Sequence, residues 1–157
     1  MALDATAWES NVRDSIKKYF VDNLVTNEGL VVTFDTDLAT PNIQGDLVDR
    51  WIVINFAAMD LDKVSRITLD IYCCARKDAE GFKLTKLKDK LMGYLTDSSH
   101  NDGRRRIPFY RSHEDPNQWT LLGGFLVDVE EDSGNIKTPD GTKIKMIPAT
   151  LRWGAKV

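Results

Sequence analysis

The side chains of this sequence that could do chemistry are few and scattered. A metal centre needs several His, Cys or carboxylate ligands converging on one point, and the candidates are His100, His113 and the adjacent pair Cys73 and Cys74. His113 with Glu114 and Asp115 is the densest local set, yet it sits in a loop with no helical i, i+4 frame to aim it. Nucleophilic hydrolysis needs a nucleophile beside a base, and the sequence has neither a G-x-S-x-G elbow nor a histidine in a catalytic signature. The glycine pair Gly123 and Gly124 interrupts a strand instead of opening a helix, which suits a bulge or close backbone packing better than a phosphate cradle. Asp35 with Asp37, and Glu130 with Glu131 and Asp132, could do acid–base work or hold a hard cation, but runs of this kind in loops are usually solvated charge. The one concentrated basic feature is Arg104, Arg105 and Arg106, followed by Ile107, Phe109 and Tyr110. Such a run could stack on nucleic acid; in an acidic chain a salt-bridged subunit contact or a solvated strand start is the better expectation. Trp51, Trp119 and Trp153 are core residues or anchors of an interface, where Trp and Arg concentrate binding energy. No catalytic, metal or cofactor-binding residue is therefore predicted, and the candidate subunit or partner contacts are Arg104, Arg105, Arg106, Trp119 and Trp51.

The elements that must carry these residues follow from periodicity. Trp8, Val12, Ile16, Tyr19 and Phe20 recur at helical spacing, so a helix is expected from about Ala7 to about Val25, with Thr6 and Glu9 at capping-box spacing and Asn27 and Gly29 at its end. Leu30 to Phe34 is a short β-branched run. Asp35 to Asp49, holding Pro41 and Gly45, is too long for a tight turn and is expected to be a functional loop. Arg50 to Phe56 and Arg66 to Ala75 read as a hairpin pair, the second alternating through Ile67, Leu69, Ile71 and Cys73. A second helix follows Gly81, with Leu84, Leu87, Leu91 and Leu95 along one edge. Arg104 to Ser112 is a strand that Pro108 confines to an edge or bulge. Trp119 to Glu130 and Lys143 to Trp153 close the chain as a long pair, with Ile147, Ala149, Leu151 and Trp153 on one face and a turn at Pro139, Asp140 and Gly141.

This order predicts an α+β fold, a mostly antiparallel sheet with two main helices packed on one face, as one domain over residues 1–157. The formal charge of −3 disfavours phosphate backbones and anionic lipid as general partners. The longest apolar stretches are too short to span a bilayer as a helix, and the first residues lack the order of a secretory signal, so a cytoplasmic site of synthesis and assembly is expected. Adjacent strand positions send Cys73 and Cys74 to opposite faces, so both are expected to be free thiols.

The succession of the Trp8 to Phe20 helix, the strand pair WIVINF and RITLDIYCCAR, the helix LTKLKDKLMGYL, and the strands IPFYRS, WTLLGGFLVDVE and IKMIPATLRW resembles the tail terminator proteins of long-tailed bacteriophages, nearest the lambda-type minor tail protein family. The resemblance covers most of the chain and lies in element order and length, with no short motif to transfer. It implies a structural virion protein and not an enzyme: a homo-hexameric ring at the head-proximal end of the tail tube. Such a ring binds the major tail tube protein, stops tube growth and offers its other face to a head-completion or connector protein, while DNA passes through the lumen without specific binding. No cofactor and no membrane enter. The acidic loop at Asp35 and Asp37 is then the candidate lumen lining, since like charges repel DNA. The alternatives are another head–tail joining or tail-completion protein, a small nucleic-acid-binding module resting on the arginine triplet, or a small enzyme working through the carboxylate loops.

Overall fold

The computed structural model describes residues 4–62, 64–112 and 118–155. Its elements are helix α1 (Glu9–Phe20), strands β1 (Val31–Phe34), β2 (Asn42–Ile43), β3 (Asp46–Leu47), β4 (Arg50–Asp60) and β5 (Ser65–Ala75), helix α2 (Phe82–Leu95), and strands β6 (Arg106–Ser112), β7 (Trp119–Val129), β8 (Ile136–Lys137) and β9 (Lys143–Trp153). The main sheet runs β1-β4-β5-β9-β7-β6, with β8 added to β9. Only the β1–β4 pair is parallel; the other pairings are antiparallel. This is the expected α+β class, and the sheet is curled.

The curl is set by α1. Its Arg13 pairs with Asp35 just past β1 and stacks over the Phe56 ring of β4 at 4.6 Å. Two residues further along α1, Ser15 bonds the Tyr110 backbone on β6. One helix thus touches both ends of a six-strand path, which a flat sheet could not allow. The stripe Val12, Ile16 and Phe20 on α1, and Leu84, Leu87, Leu91 and Leu95 on α2, enter one core with Ile52, Ile54, Ile67, Leu69, Ile71, Ile147, Ala149 and Leu151 from the sheet. Both helices cover the same face, as the periodicity requires.

The start of α1 differs from expectation. Thr6 does not cap it: the Asp4 carboxylate accepts from both the Thr6 N–H and the Thr6 hydroxyl, holding a tight turn at Ala5–Ala7, and Trp8 precedes the helix without a side-chain cap. The helical path continues beyond Phe20 as a wider π-type turn, Val21–Asn27, which carries Leu24 into the core. Gly29 ends it in the left-handed conformation (φ 66°), its N–H bonded to Val25 O while Leu30 N–H returns to Leu24 O.

The other face of the sheet carries a small second cluster. Trp51, Val53, Cys74 and Ile144 are buried there under Leu38 and Val48, both from the segment between β1 and β4. That segment is therefore a cover, and it holds the β2–β3 hairpin with Gln44 and Gly45 both at positive φ, the turn geometry that matches strand twist. Cys73 and Cys74 do face opposite sides, one in each cluster, as free thiols. β7 and β9 pair over only Leu126–Val129, not along their whole length as expected; β7 spends the rest of its length on β6. Among the described residues no helix is long and apolar enough to cross a membrane.

Candidate assembly surfaces

The two ends of the sheet are finished differently, and local chemistry explains each. β6 is the last strand, so its outer backbone groups need partners or water. Alternation points Pro108, Tyr110 and Ser112 toward α1. Pro108 has no N–H to satisfy. At Tyr110, the Ser15 hydroxyl accepts from the N–H (2.8 Å) and donates to the carbonyl (3.0 Å). At Ser112 the N–H donates to Asn11 Oδ1 (3.2 Å), and Asn11 Nδ2 turns back to Ala5 O (3.0 Å). Asn11 and Ser15 are both buried on α1, so the helix closes this edge with side chains in place of another strand.

β7 presents the opposite case. Leu126 and Asp128 face β9, while the Val127 N–H turns to Arg105 O on the β6 side. Gly124 therefore faces the β9 side too, and it lies opposite Pro108, whose missing N–H fits a position that makes no bond between β6 and β7. But β9 ends at Trp153, one position beyond the partner of Leu126. Among the described residues, Leu121–Gly124 thus has a strand on one side only. The register slips at Phe109/Tyr110, leaving Leu122 as the extra residue of a bulge, the role expected beside the two glycines. Leu121 is 65% exposed.

The arginine triplet is engaged within the chain. Arg104 pairs with Asp128 at 2.7 Å, a carboxylate it shares with Arg152 at 3.3 Å. Arg105 reaches the C-terminal end of α2, donating to Gly93 O (2.7 Å) and Thr96 O (3.1 Å), which are carbonyls left over where the helix ends. Arg106 pairs with Asp102 at 3.1 Å and donates to Arg104 O. Nearby, Asp97 and Asp102 are held below the usual carboxylate range, Asp97 chiefly by hydrogen bonds from Ser99 and Asp102 chiefly by the Arg106 bond.

The tryptophans divide. Trp51 is fully buried, so it cannot anchor an interface on the folded chain, and its indole N–H has no partner among the described residues. Trp153 is core as well, its Nε1 donating to Thr6 O at 2.9 Å. Trp119 is half-buried, edge-on to Tyr110 at 5.9 Å with the Lys18 ammonium 5.4 Å over its ring. Of the acidic loop, Asp35 is a structural stop: at φ 53° it accepts from Phe56 N–H (2.9 Å) and pairs with Arg13. Asp37 accepts from Ala39 N–H (3.1 Å) in a local turn, and Asp46 is exposed on β3.

Among the described residues no group of three His, Cys, Asp or Glu side chains could hold a metal ion. His113, Glu114 and Asp115 lie outside the described residues. Both thiols are pushed up to about 12 by burial, and Asp132 is bonded to Lys88 at 2.6 Å.

Sequence reasoning missed the seal made by Asn11 and Ser15. The available signal was two polar residues placed beside the apolar stripe of a helix, Asn11 next to Val12 and Ser15 next to Ile16. It also missed the overhang of β7, for which no local signal exists.

No protein-family model matches this chain, and no curated protein does. Five solved chains match it. One, a protein known by a sequence identifier that states no function, aligns with a TM-score of 0.56 and 10% sequence identity over 96% of this chain and 99% of its own. At that identity the likeness shows the fold alone, and the shared fold extends over nearly the full length of both.

Proposed function

We propose that this chain is a tail-terminator-type subunit: a structural virion protein that forms a closed six-membered ring on the head-proximal end of a phage tail tube, ends tube growth and presents a docking face to the head. The observation that carries this reading is the pairing of that family's element order with two open strand edges at different ends of one sheet, β1 and the overhang of β7. A subunit that presents two different edges can join copies head to tail, and a head-to-tail contact repeated around a closing rotation makes a ring. Exposed Ile43 and Leu47 on the β2–β3 hairpin, and Leu121 on β7, supply apolar contact for copies or for the tube. Lumen lining falls to Asp37 and Asp46, because Asp35 is neutralised by Arg13.

The nucleic-acid reading is weakened by one observation: all three arginines of the triplet are bonded to acceptors of their own chain. A head–tail joining role on the same fold differs only in the partner bound. Electron microscopy with mass measurement, on the protein alone and mixed with tail tubes, tests the proposal. Six-fold particles or capped tubes are expected; a monomer that ignores tubes at high concentration contradicts it.

A further inference from the structure

We propose that the open edge of β7 at Leu121–Gly124 takes up the outer edge of β1, Val31–Phe34, from a second copy of this chain, so that one sheet continues across the contact. This rests on the ring reading above and names its joint.

The edge is an unusual one to leave bare. Open edges are ordinarily blunted by Lys, Pro or a covering element, and the β6 edge of this same sheet is blunted by Pro108, Ser15 and Asn11. Leu121–Gly124 carries neither Lys nor Pro, and Leu121, Gly123 and Gly124 are all exposed. The outward backbone groups of this stretch are thus accessible to an incoming strand, with Leu121 beside them to be covered.

The chain itself holds a matching occupant. β1 is the terminal strand at the other end of the sheet and, among the described residues, pairs on one side only, with β4. Its four residues match the four of the overhang in length, and none is charged. The flanks are complementary in charge as well. At the root of the overhang two guanidiniums, Arg104 and Arg152, share the single carboxylate of Asp128. Beyond β1, residues 35–49 hold no Lys or Arg, and while Asp35 and Asp49 are paired with Arg13 and Arg76, Asp37 and Asp46 have no cationic partner among the described residues. Bringing the two edges together sets an acidic loop against an arginine-rich root, which favours this pairing and disfavours β1 against β1. Because the two edges are different surfaces, the contact is heterologous and each copy makes it twice. One four-residue joint falls short of the roughly 1,200–2,000 Å² of a stable interface, so assembly rises steeply with concentration and closure stabilises the set.

The test uses the full chain. Gly124→Cys in one preparation and Thr33→Cys in another are mixed and mildly oxidised; Cys73 and Cys74, buried, remain spectators. Disulfide dimers are expected from the mixture, in clear excess over a control mixture of Lys86→Cys with Thr33→Cys. In parallel, Leu121→Lys with Gly124→Lys is expected to lose the large species seen by mass measurement while keeping the wild-type circular dichroism spectrum. If the lysine variant assembles as wild type does, or the cross-link does not exceed the control, the joint is wrong although the ring survives. If the wild type stays monomeric and ignores tubes, the ring reading fails with it.

Discussion

The two strands of the β6–β7 arm lie side by side, yet one outer edge is closed and the other is not. On β6, a proline and two buried polar side chains of α1 dispose of every outward N–H from Pro108 to Ser112 and of the Tyr110 carbonyl. On β7, the neighbouring strand stops, and among the described residues Leu121–Gly124 has no strand on that side. The difference teaches that the open edge is not a by-product of a small sheet. This chain closes an edge by spending two core-facing helix positions on it, and does so for one strand of the arm only.

The comparison can be broken most severely at the seal. Removing both Ser15 and Asn11 as alanine strands buried backbone groups at about 1–3 kcal/mol each, so the double variant should lose the largest share of stability in urea unfolding. It should also self-associate through the newly bare β6 edge. Arg105→Ala removes charge-assisted bonds to two α2 carbonyls and should cost about 1–2 kcal/mol; loss of helix signal in α2 ahead of the rest of the chain would mark it as a cap. Smaller still is the Lys88–Asp132 pair, worth about 0.2–1 kcal/mol at a partly exposed site. Lys88 holds the Asp132 carboxyl below its ordinary range. The contribution is therefore complete above that range and is lost as pH falls through the lowered value. The stability gap between wild type and Lys88→Met should accordingly close in acid. At the open edge, Leu121→Lys should leave the stability of the monomer within about 0.5 kcal/mol and alter only its self-association, the reverse of the result at Ser15.

What was legible in the sequence follows the range of the forces involved. The stripe Val12, Ile16, Phe20 and the edge Leu84, Leu87, Leu91, Leu95 obey a 3.6-residue period, so both helices and their buried faces could be read directly. β9 alternates so strictly that its bounds are those the pattern predicts. Pro108 announced an edge strand because a missing N–H is a local fact. The capping box failed to form because the Asp4 carboxylate, two residues before Thr6, holds that residue in a turn of its own, and the helix starts only at Glu9 with Trp8 in the cap position. Trp51 was open to being an interface anchor because its cover, Leu38 and Val48, comes from a segment with no periodicity of its own. The extent of β7–β9 pairing was illegible for a deeper reason: two strands of equal length and pattern do not state their register offset, which here depends on where α1 draws β6.

Amide hydrogen exchange, followed across a dilution series, measures the contrast between the two edges most directly. At low concentration the Tyr110 amide, held by Ser15, should be protected and the Gly124 amide should exchange fast; at assembling concentration Gly124 should become protected while Tyr110 stays unchanged. A Gly124 amide already protected in the monomer, or still fast in the assembled particle, would contradict the open edge as the point of assembly.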